Sequence, residues 1–255
     1  MKIALLIGIN YKGIEGSELT GCIDDIFRMR DMLINEMGFE TENITMLHED
    51  VNDVDFIPTN DNILHHLNEF INNSKETDEL WFHYSGHGSV RRDRSNDELT
   101  NIDSVMIPYD FQTKGVILDD EIYAIIKNVK CNLFLLLDCC HSGSICDLPW
   151  SYHYANDSKS LSLININNNV INKHIYALSG SEDTQLSMEK YNVFLQKKVG
   201  VLTNTFLMLL HYYNYNVNIK DLFIEICEYL KYNEFVQNPV LSASNNQIDY
   251  CFKCN

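Results

Sequence analysis

Apolar positions along the chain alternate between short unbroken runs and longer stretches with helical spacing. Ile3 to Ile9 is an unbroken run and predicts the first core strand. Ile26, Met29, Leu33 and Met37 share one face of a helix over residues 23–37, and Gly38 is a fitting residue to end it. Ile44 to Leu47 predicts a short strand, and Ile63, Leu67, Phe70 and Ile71 mark the inner side of a helix over residues 61–72. Leu80 to Tyr84 is a second buried run, which stops at Ser85-Gly86-His87-Gly88. Residues 90–101 read as a polar loop, and Met106-Ile107-Pro108 as a short extended piece. A helix from Asp119 to Asn128 opens on Asp119, Asp120 and Glu121, where the helix dipole favours acids. Leu133 to Leu137 is another core run, broken at Asp138-Cys139-Cys140-His141-Ser142-Gly143.

Beyond that point the pattern weakens. Residues 153–173 are rich in Asn and Ser with little periodicity, and read as a long exposed loop suited to a cut or an internal boundary. A strand is predicted over 174–179, helices over 199–213 and 219–231, and a last, edge strand over 239–243 that begins at a proline. Strand and helix alternate throughout, so the expected class is α/β: a mostly parallel central sheet with helices on both faces. The expected organisation is a larger portion (1–152), a linker (153–173) and a smaller portion (174–255) within one compact domain, without internal repeats.

Composition narrows the partners. The formal net charge is -17 over 255 residues, which argues against nucleic acid and anionic membranes. It suits a cationic partner, either a metal ion or a substrate bearing Lys or Arg, although acidity also serves solubility alone. No segment is long enough to span a bilayer, and the apolar start, Met1 to Asn10, reads as a strand rather than a leader. The eight cysteines have no regular spacing, so a reducing cytoplasmic or nuclear setting is expected. Cys251 and Cys254 form a lone CxxC, a weak pointer to zinc without a second pair.

Chemistry concentrates at two strand ends. In open α/β sheets the crevice beyond the strand C-termini gathers catalytic groups, and here it would receive His87 and Cys140, a thiol nucleophile and its proton partner. His87 lies between glycines, where backbone can approach a substrate closely. The structural alternative is that Cys140 is a small buried residue. Asp138 lies two positions before Cys140, so on an extended strand both side chains point the same way. A carboxylate there raises the thiol pKa, which calls for a cation between them; a substrate Lys or Arg is the simplest candidate.

The segments His83-Tyr84-Ser85-Gly86-His87-Gly88 and Asp138-Cys139-Cys140-His141-Ser142-Gly143, with His before Cys at caspase-like spacing, resemble those of the metacaspases. Weaker matches include Ala4 to Asn10, Gly21-Cys22 with Asp25, Ile117 to Glu121, Asp147-Leu148-Pro149, Ala177 to Ser181 and Leu241 to Ser244. The resemblance implies a caspase-like fold and a cysteine endopeptidase. Cys140 would be the nucleophile, His87 its acid–base partner, and the N–H groups of Gly88 and Cys140 the oxyanion hole. Asp25, Ser85 and Asp138 would line a pocket for Lys or Arg, with Asp24 making its rim more negative; read alone, Asp25 is also an ordinary cap of the first helix. Asp103, Asp119, Asp120 and Asp147 match the aspartates that bind calcium in calcium-requiring members, whereas spacing alone would show no metal site. Self-cleavage would fall in the linker at Lys159 or Lys173, with Lys197 and Lys198 later. The family also implies a monomer. Rival expectations are a calcium-binding pseudopeptidase or scaffold, and a true caspase that cleaves after Asp.

Overall fold

The computed structural model describes residues 1–92, 102–140, 145–167, 169, 171, 173–180, 189–192 and 197–253. The first apolar run forms β1 (Lys2–Gly8), followed by α1 (Cys22–Asn35). The chain leaves α1 through Gly38, whose φ of 73° lies in the left-handed region that glycine adopts without strain. Next come β2 (Ile44–Leu47), α2 (Asn60–Asn72) and β3 (Glu79–Ser85). The Thr59 hydroxyl caps α2 by accepting the Asn62 N–H at 3.3 Å. A side sheet is built from β4 (Gly88–Arg92), β5 (Ile102–Met106) and β6 (Ile117–Leu118), with the short α3 (Phe111–Lys114) between the last two. After α4 (Asp119–Ile126) the chain runs through β7 (Asn132–Asp138), β8 (Trp150–Ala155), β9 (Ser160–Asn165) and β10 (Ile175–Ser179). The hairpin β11 (Glu189–Asn192) and β12 (Lys197–Gly200), helices α5 (Val201–Tyr212) and α6 (Ile219–Tyr232), and β13 (Val240–Ala243) complete it.

One eight-stranded sheet has the order β2-β1-β3-β7-β10-β13-β8-β9. It is parallel from β2 to β10 and antiparallel from there to β9, so the α/β expectation is met by a mixed sheet. Alternate side chains divide between two cores, as strand geometry requires. Ala4, Leu6, Trp81, Phe134 and Leu136 face α1, α5 and α6; Leu5, Ile7, Phe82, Leu135 and Leu137 face α2 and α4. Fully buried Trp81 has ring centroids 4.5 Å from Phe134 and 6.0 Å from both Phe206 and Phe252, which ties α5 and the C-terminal segment to the sheet. Truncating such a residue to Ala costs about 3–5 kcal/mol.

Three readings need correction. Residues 153–173 are not one long loop, because β8 and β9 pair antiparallel from Trp150–Asn165 to Ala155–Ser160 and extend the main sheet. Trp150, Tyr152 and Tyr154 supply the period-2 signal, and all pack into the α1/α5 core. The strand over 239–243 is not an edge; β13 lies between β10 and β8. Its proline, Pro239, sits just outside the paired residues, where a missing N–H costs nothing. The polar stretch from Val90 begins as β4, while 93–101 lie outside the described residues.

Candidate active site

Parallel neighbours β3 and β7 end in register, Ser85 opposite Asp138, with the Gly86 N–H donating to the Asp138 carbonyl at 3.3 Å. His87 and Cys140 therefore both lie two residues past adjacent strand ends, and both are half-buried. Glycine is required beside them. A Cβ built on Gly88 would lie 2.0 Å from the Cys140 carbonyl oxygen and 3.2 Å from Cys139 Sγ, so the two backbones touch. Cys140 has intermediate exposure, whereas Cys22, Cys131, Cys139, Cys146 and Cys227 are buried; none of these six is in a disulfide. Cys251 is disulfide-bonded, and Cys254 lies outside the described residues, as do His141 to Gly143.

Two buried tyrosines hold the His87 backbone. The Tyr11 hydroxyl accepts the His87 N–H at 2.9 Å and donates to the Ile107 carbonyl at 2.6 Å. The Tyr84 hydroxyl donates to the His87 carbonyl at 2.8 Å. The imidazole is oriented from a third direction, with Nε2 2.8 Å from the Ser17 carbonyl. A carbonyl only accepts, so Nε2 carries the proton there and Nδ1 remains for proton exchange. Ser17 and Tyr11 were missed in the sequence because they lie in a loop some seventy residues upstream, without a motif of their own; Tyr84 was visible within the His motif.

The acids come together on the opposite, α1/α5 face. Asp25 is fully buried and Asp138 is 4% exposed. Asp25 Oδ2 accepts from Ser85 Oγ at 3.1 Å and from the Gly200 N–H at 2.9 Å. Asp138 Oδ2 accepts both the Thr203 N–H and the Thr203 hydroxyl at 2.8 Å. Asp25 therefore does not cap the first helix: α1 starts at Gly21 without a side-chain cap, and the two acids instead meet the N-terminus of α5. Burial, and then the charge of Asp138, hold the Asp25 carboxyl well above its ordinary range. Asp24 is only half-buried at the start of the same helix.

The calcium-type aspartates occupy adjoining segments without converging. Asp119 Oδ2 accepts the N–H of Ser104, next to Asp103, at 2.5 Å, while Asp103 pairs with Arg91 Nε at 3.1 Å. Asp119 and Asp147 both act on Cys146, whose thiol is pushed up by burial and then by their charges. Asp147 has a left-handed φ of 45°, and its carbonyl accepts Asn167 and Asn169 side-chain amides at 3.0 Å each. Asp120 is half-buried, its N–H bonded to Asp119 Oδ1 at 3.0 Å. Among the described residues no three His, Cys, Asp or Glu side chains form a metal-ligand group. The donor chemistry, all carboxylate, fits calcium; the positions do not yet enclose it.

Of the basic cut points, Lys159 sits in the β8–β9 turn, 77% exposed, 3.7 Å from Glu228. Lys173 precedes β10, 37% exposed, 3.7 Å from Glu76. Lys197 and Lys198 lie in β12.

A model of the metacaspase, peptidase C14 domain matches residues 2–149. Metacaspase-1 of Scheffersomyces stipitis is 40% identical over 154 residues, which are 59% of this chain and 38% of that protein. Metacaspase-1 of Eremothecium gossypii is 42% identical over 152 residues, 58% of this chain and 33% of that protein. The chain thus aligns with little more than a third of these relatives' length. In structure, a Geobacter sulfurreducens protein superposes with a TM-score of 0.67 at 20% identity, over 96% of this chain and 94% of that one. Caspase-1 from Spodoptera frugiperda does so with 0.62 at 10% identity, over 99% and 90%. Those two likenesses concern the fold alone. The family match spans more than half of the chain, from the first strand past the Cys140 turn, and the chain belongs to the metacaspase family of caspase-like cysteine peptidases.

Proposed function

We propose that this protein is a calcium-dependent cysteine endopeptidase that cleaves peptide bonds after Lys or Arg. The observation that carries the reading is the meeting of two strand ends, with Gly88 packed on the Cys140 backbone and His87 held beside it. In the reaction, His87 Nδ1 takes the Cys140 proton, and the thiolate attacks the scissile carbonyl carbon. The N–H groups of Gly88 and Cys140 stabilise the tetrahedral oxyanion, at roughly 3 kcal/mol per donor. The imidazolium returns its proton to the leaving amine, leaving a thioester. Water, deprotonated by His87, then releases the acid and restores the thiol.

Specificity for a basic side chain rests on Asp25, Asp138 and Ser85, a carboxylate pair with a hydroxyl between strand end and helix. Because Gly200 and Thr203 lie against both acids, the substrate cation reaches them only when the junction of β12 and α5 shifts. A second reading follows from the same bonds: the acids serve the α5 N-terminus alone, and specificity lies elsewhere. Calcium would be held by Asp103, Asp119, Asp120 and Asp147, supplying charge balance that draws Asp147, just past the Cys140 turn, toward α4. Processing would fall at Lys159 or Lys173, and the active form would be a monomer.

Wild type and Cys140→Ala are assayed on fluorogenic peptides ending in Arg, Lys or Asp, with and without about millimolar calcium. Calcium-dependent cleavage after Arg or Lys, reduced at least ~10⁴-fold in the variant, is the expected result. Cleavage after Asp supports the second reading of the acids. A calcium-dependent rise in Tm with no turnover of any peptide replaces the enzyme reading with that of a binding protein.

A further inference from the structure

Arg28 is a basic side chain at the acid pair that sequence spacing did not single out. It lies almost one turn beyond Asp25 on α1, with Nη1 3.6 Å from Asp25 Oδ1. On an exposed helix face such a pair would contribute little. Here Asp25 is fully buried and the Arg28 side chain is only 23% exposed. Its guanidinium is fixed from outside its own helix: Nη2 donates to Asn204 Oδ1 of α5 at 2.9 Å, and that oxygen also accepts from Asn192 Nδ2 of β11 at 3.1 Å. The two atoms that face across the gap, Asp25 Oδ1 and Arg28 Nη1, are buried and have no hydrogen-bond partner among the described residues. Asp25 Oδ2, by contrast, already takes Ser85 and Gly200. One oxygen of Asp25 is committed to the fold; the other is balanced by a nearby charge without being bonded.

We infer that Arg28 is a positioning residue for specificity: its fixed guanidinium eases ionisation of Asp25 beside Asp138 and leaves Oδ1 facing the cation of an incoming Lys or Arg. This deepens the basic-pocket reading above and rests on it. The charges that act on Asp25 are Asp138 from the end of β7 and Arg28 from its own helix. β3 and the β12–α5 junction contribute the neutral donors Ser85 and Gly200, and Asp24 acts in turn on Arg28. Burial and Asp138 favour the protonated acid; the Gly200 N–H, Arg28 and the Ser85 hydroxyl oppose them, and Arg28 is the charged group among the three. Without Arg28 more Asp25 is protonated at a given pH, so a substrate cation must first displace a proton. Raising the pH removes that handicap.

The test is kcat and KM of wild type, Arg28→Gln and Arg28→Lys on an Arg-ending peptide, with calcium, at about pH 6 and about pH 8. Arg28→Gln is expected to raise KM roughly tenfold at the lower pH and no more than about threefold at the higher, with kcat little changed and Arg28→Lys close to wild type. An equal fractional loss at both pH values, or a lower KM, overturns the inference while leaving the pocket reading intact. Wild type that fails to cleave after Arg or Lys removes the pocket reading and the inference with it. A readout independent of turnover is the Tm cost of Arg28→Gln in wild type and in the Asp25→Asn background. The cost should largely vanish in the latter, and an equal cost in both also overturns the inference.

Discussion

The thiol side and the acid side of the same strand ends are built in opposite ways. On the thiol side, backbone does the positioning: Gly88 lies on the Cys140 carbonyl, and His87 is gripped by two tyrosine hydroxyls and the Ser17 carbonyl. The reactive groups themselves remain half-exposed. On the acid side, the side chains are buried and their inner oxygens are taken up by α5. A nucleophile needs access and a fixed approach, which neighbouring backbone can give while leaving the side chain open. A buried carboxylate pair needs compensation, because each ionised acid loses water and repels the other. Both arrangements recruit distant residues: Tyr11 and Ser17 lie 76 and 70 positions before His87, and Thr203 and Gly200 lie 65 and 175 positions after Asp138 and Asp25. They differ in what is held, backbone and ring orientation in the first and the carboxylates themselves in the second.

Variants on each side should fail differently. Among variants that keep His87 and Cys140, the largest effect is expected for Gly88→Ala, whose methyl has nowhere to go but into backbone: kcat falls about 100-fold or more, and stability by about 1–3 kcal/mol. Near-normal kcat in this variant would break the view that backbone contact defines the thiol side. Asp138→Asn keeps an acceptor for Thr203 but removes charge, so KM for Arg-ending peptides should rise by about ten- to a hundredfold while kcat holds. A fall in kcat with KM unchanged would instead tie Asp138 to the thiol. Tyr84→Phe removes one of two donors to the His87 carbonyl, the other being the Ile107 N–H at 3.2 Å. The retained partner limits the damage to about five- to tenfold in kcat.

The smallest effect is a stability difference with a definite sign. The Asp25 carboxyl binds its proton more tightly folded than unfolded, because burial and Asp138 raise its pKa. Its ionisation therefore weakens the fold as pH rises from the unfolded value, about 3.9, through the raised folded one. Asp25→Asn should melt above wild type near neutral pH, and the gap should close toward acid pH. A gap that widens in acid would show that the ionised acid is the favoured native form.

What could be read from the sequence was what proximity along the chain encodes. Leu80 to Tyr84 and Leu133 to Leu137 each announce a strand, and each ends at its motif, so the pairing of β3 with β7 brings His87 and Cys140 to one edge without further information. Asp25 and Asp138 were legible, yet their engagement by Gly200 and Thr203 was invisible, because hydrogen bonds between residues 175 and 65 positions apart leave no spacing to detect. Arg28 was overlooked for a related reason: one turn after an acid, an arginine on a helix usually makes an ordinary surface pair, and burial changes its meaning. The β8–β9 hairpin was hidden by composition. Asn and Ser suggested a loop, while the alternation of Trp150, Tyr152 and Tyr154 already had the period of a strand.

That hairpin bears on what a processed form would look like. The Lys159 turn has β8 on one side, stitched to β13, and β9 on the other, stitched back to β8. A nick after Lys159 would leave two fragments zipped together along the sheet, migrating as one particle in a native separation and parting only in denaturant. Scission at that position is thus a change in covalent connectivity rather than in composition: it frees two chain ends beside the sheet's outer margin and lets no part of the protein leave.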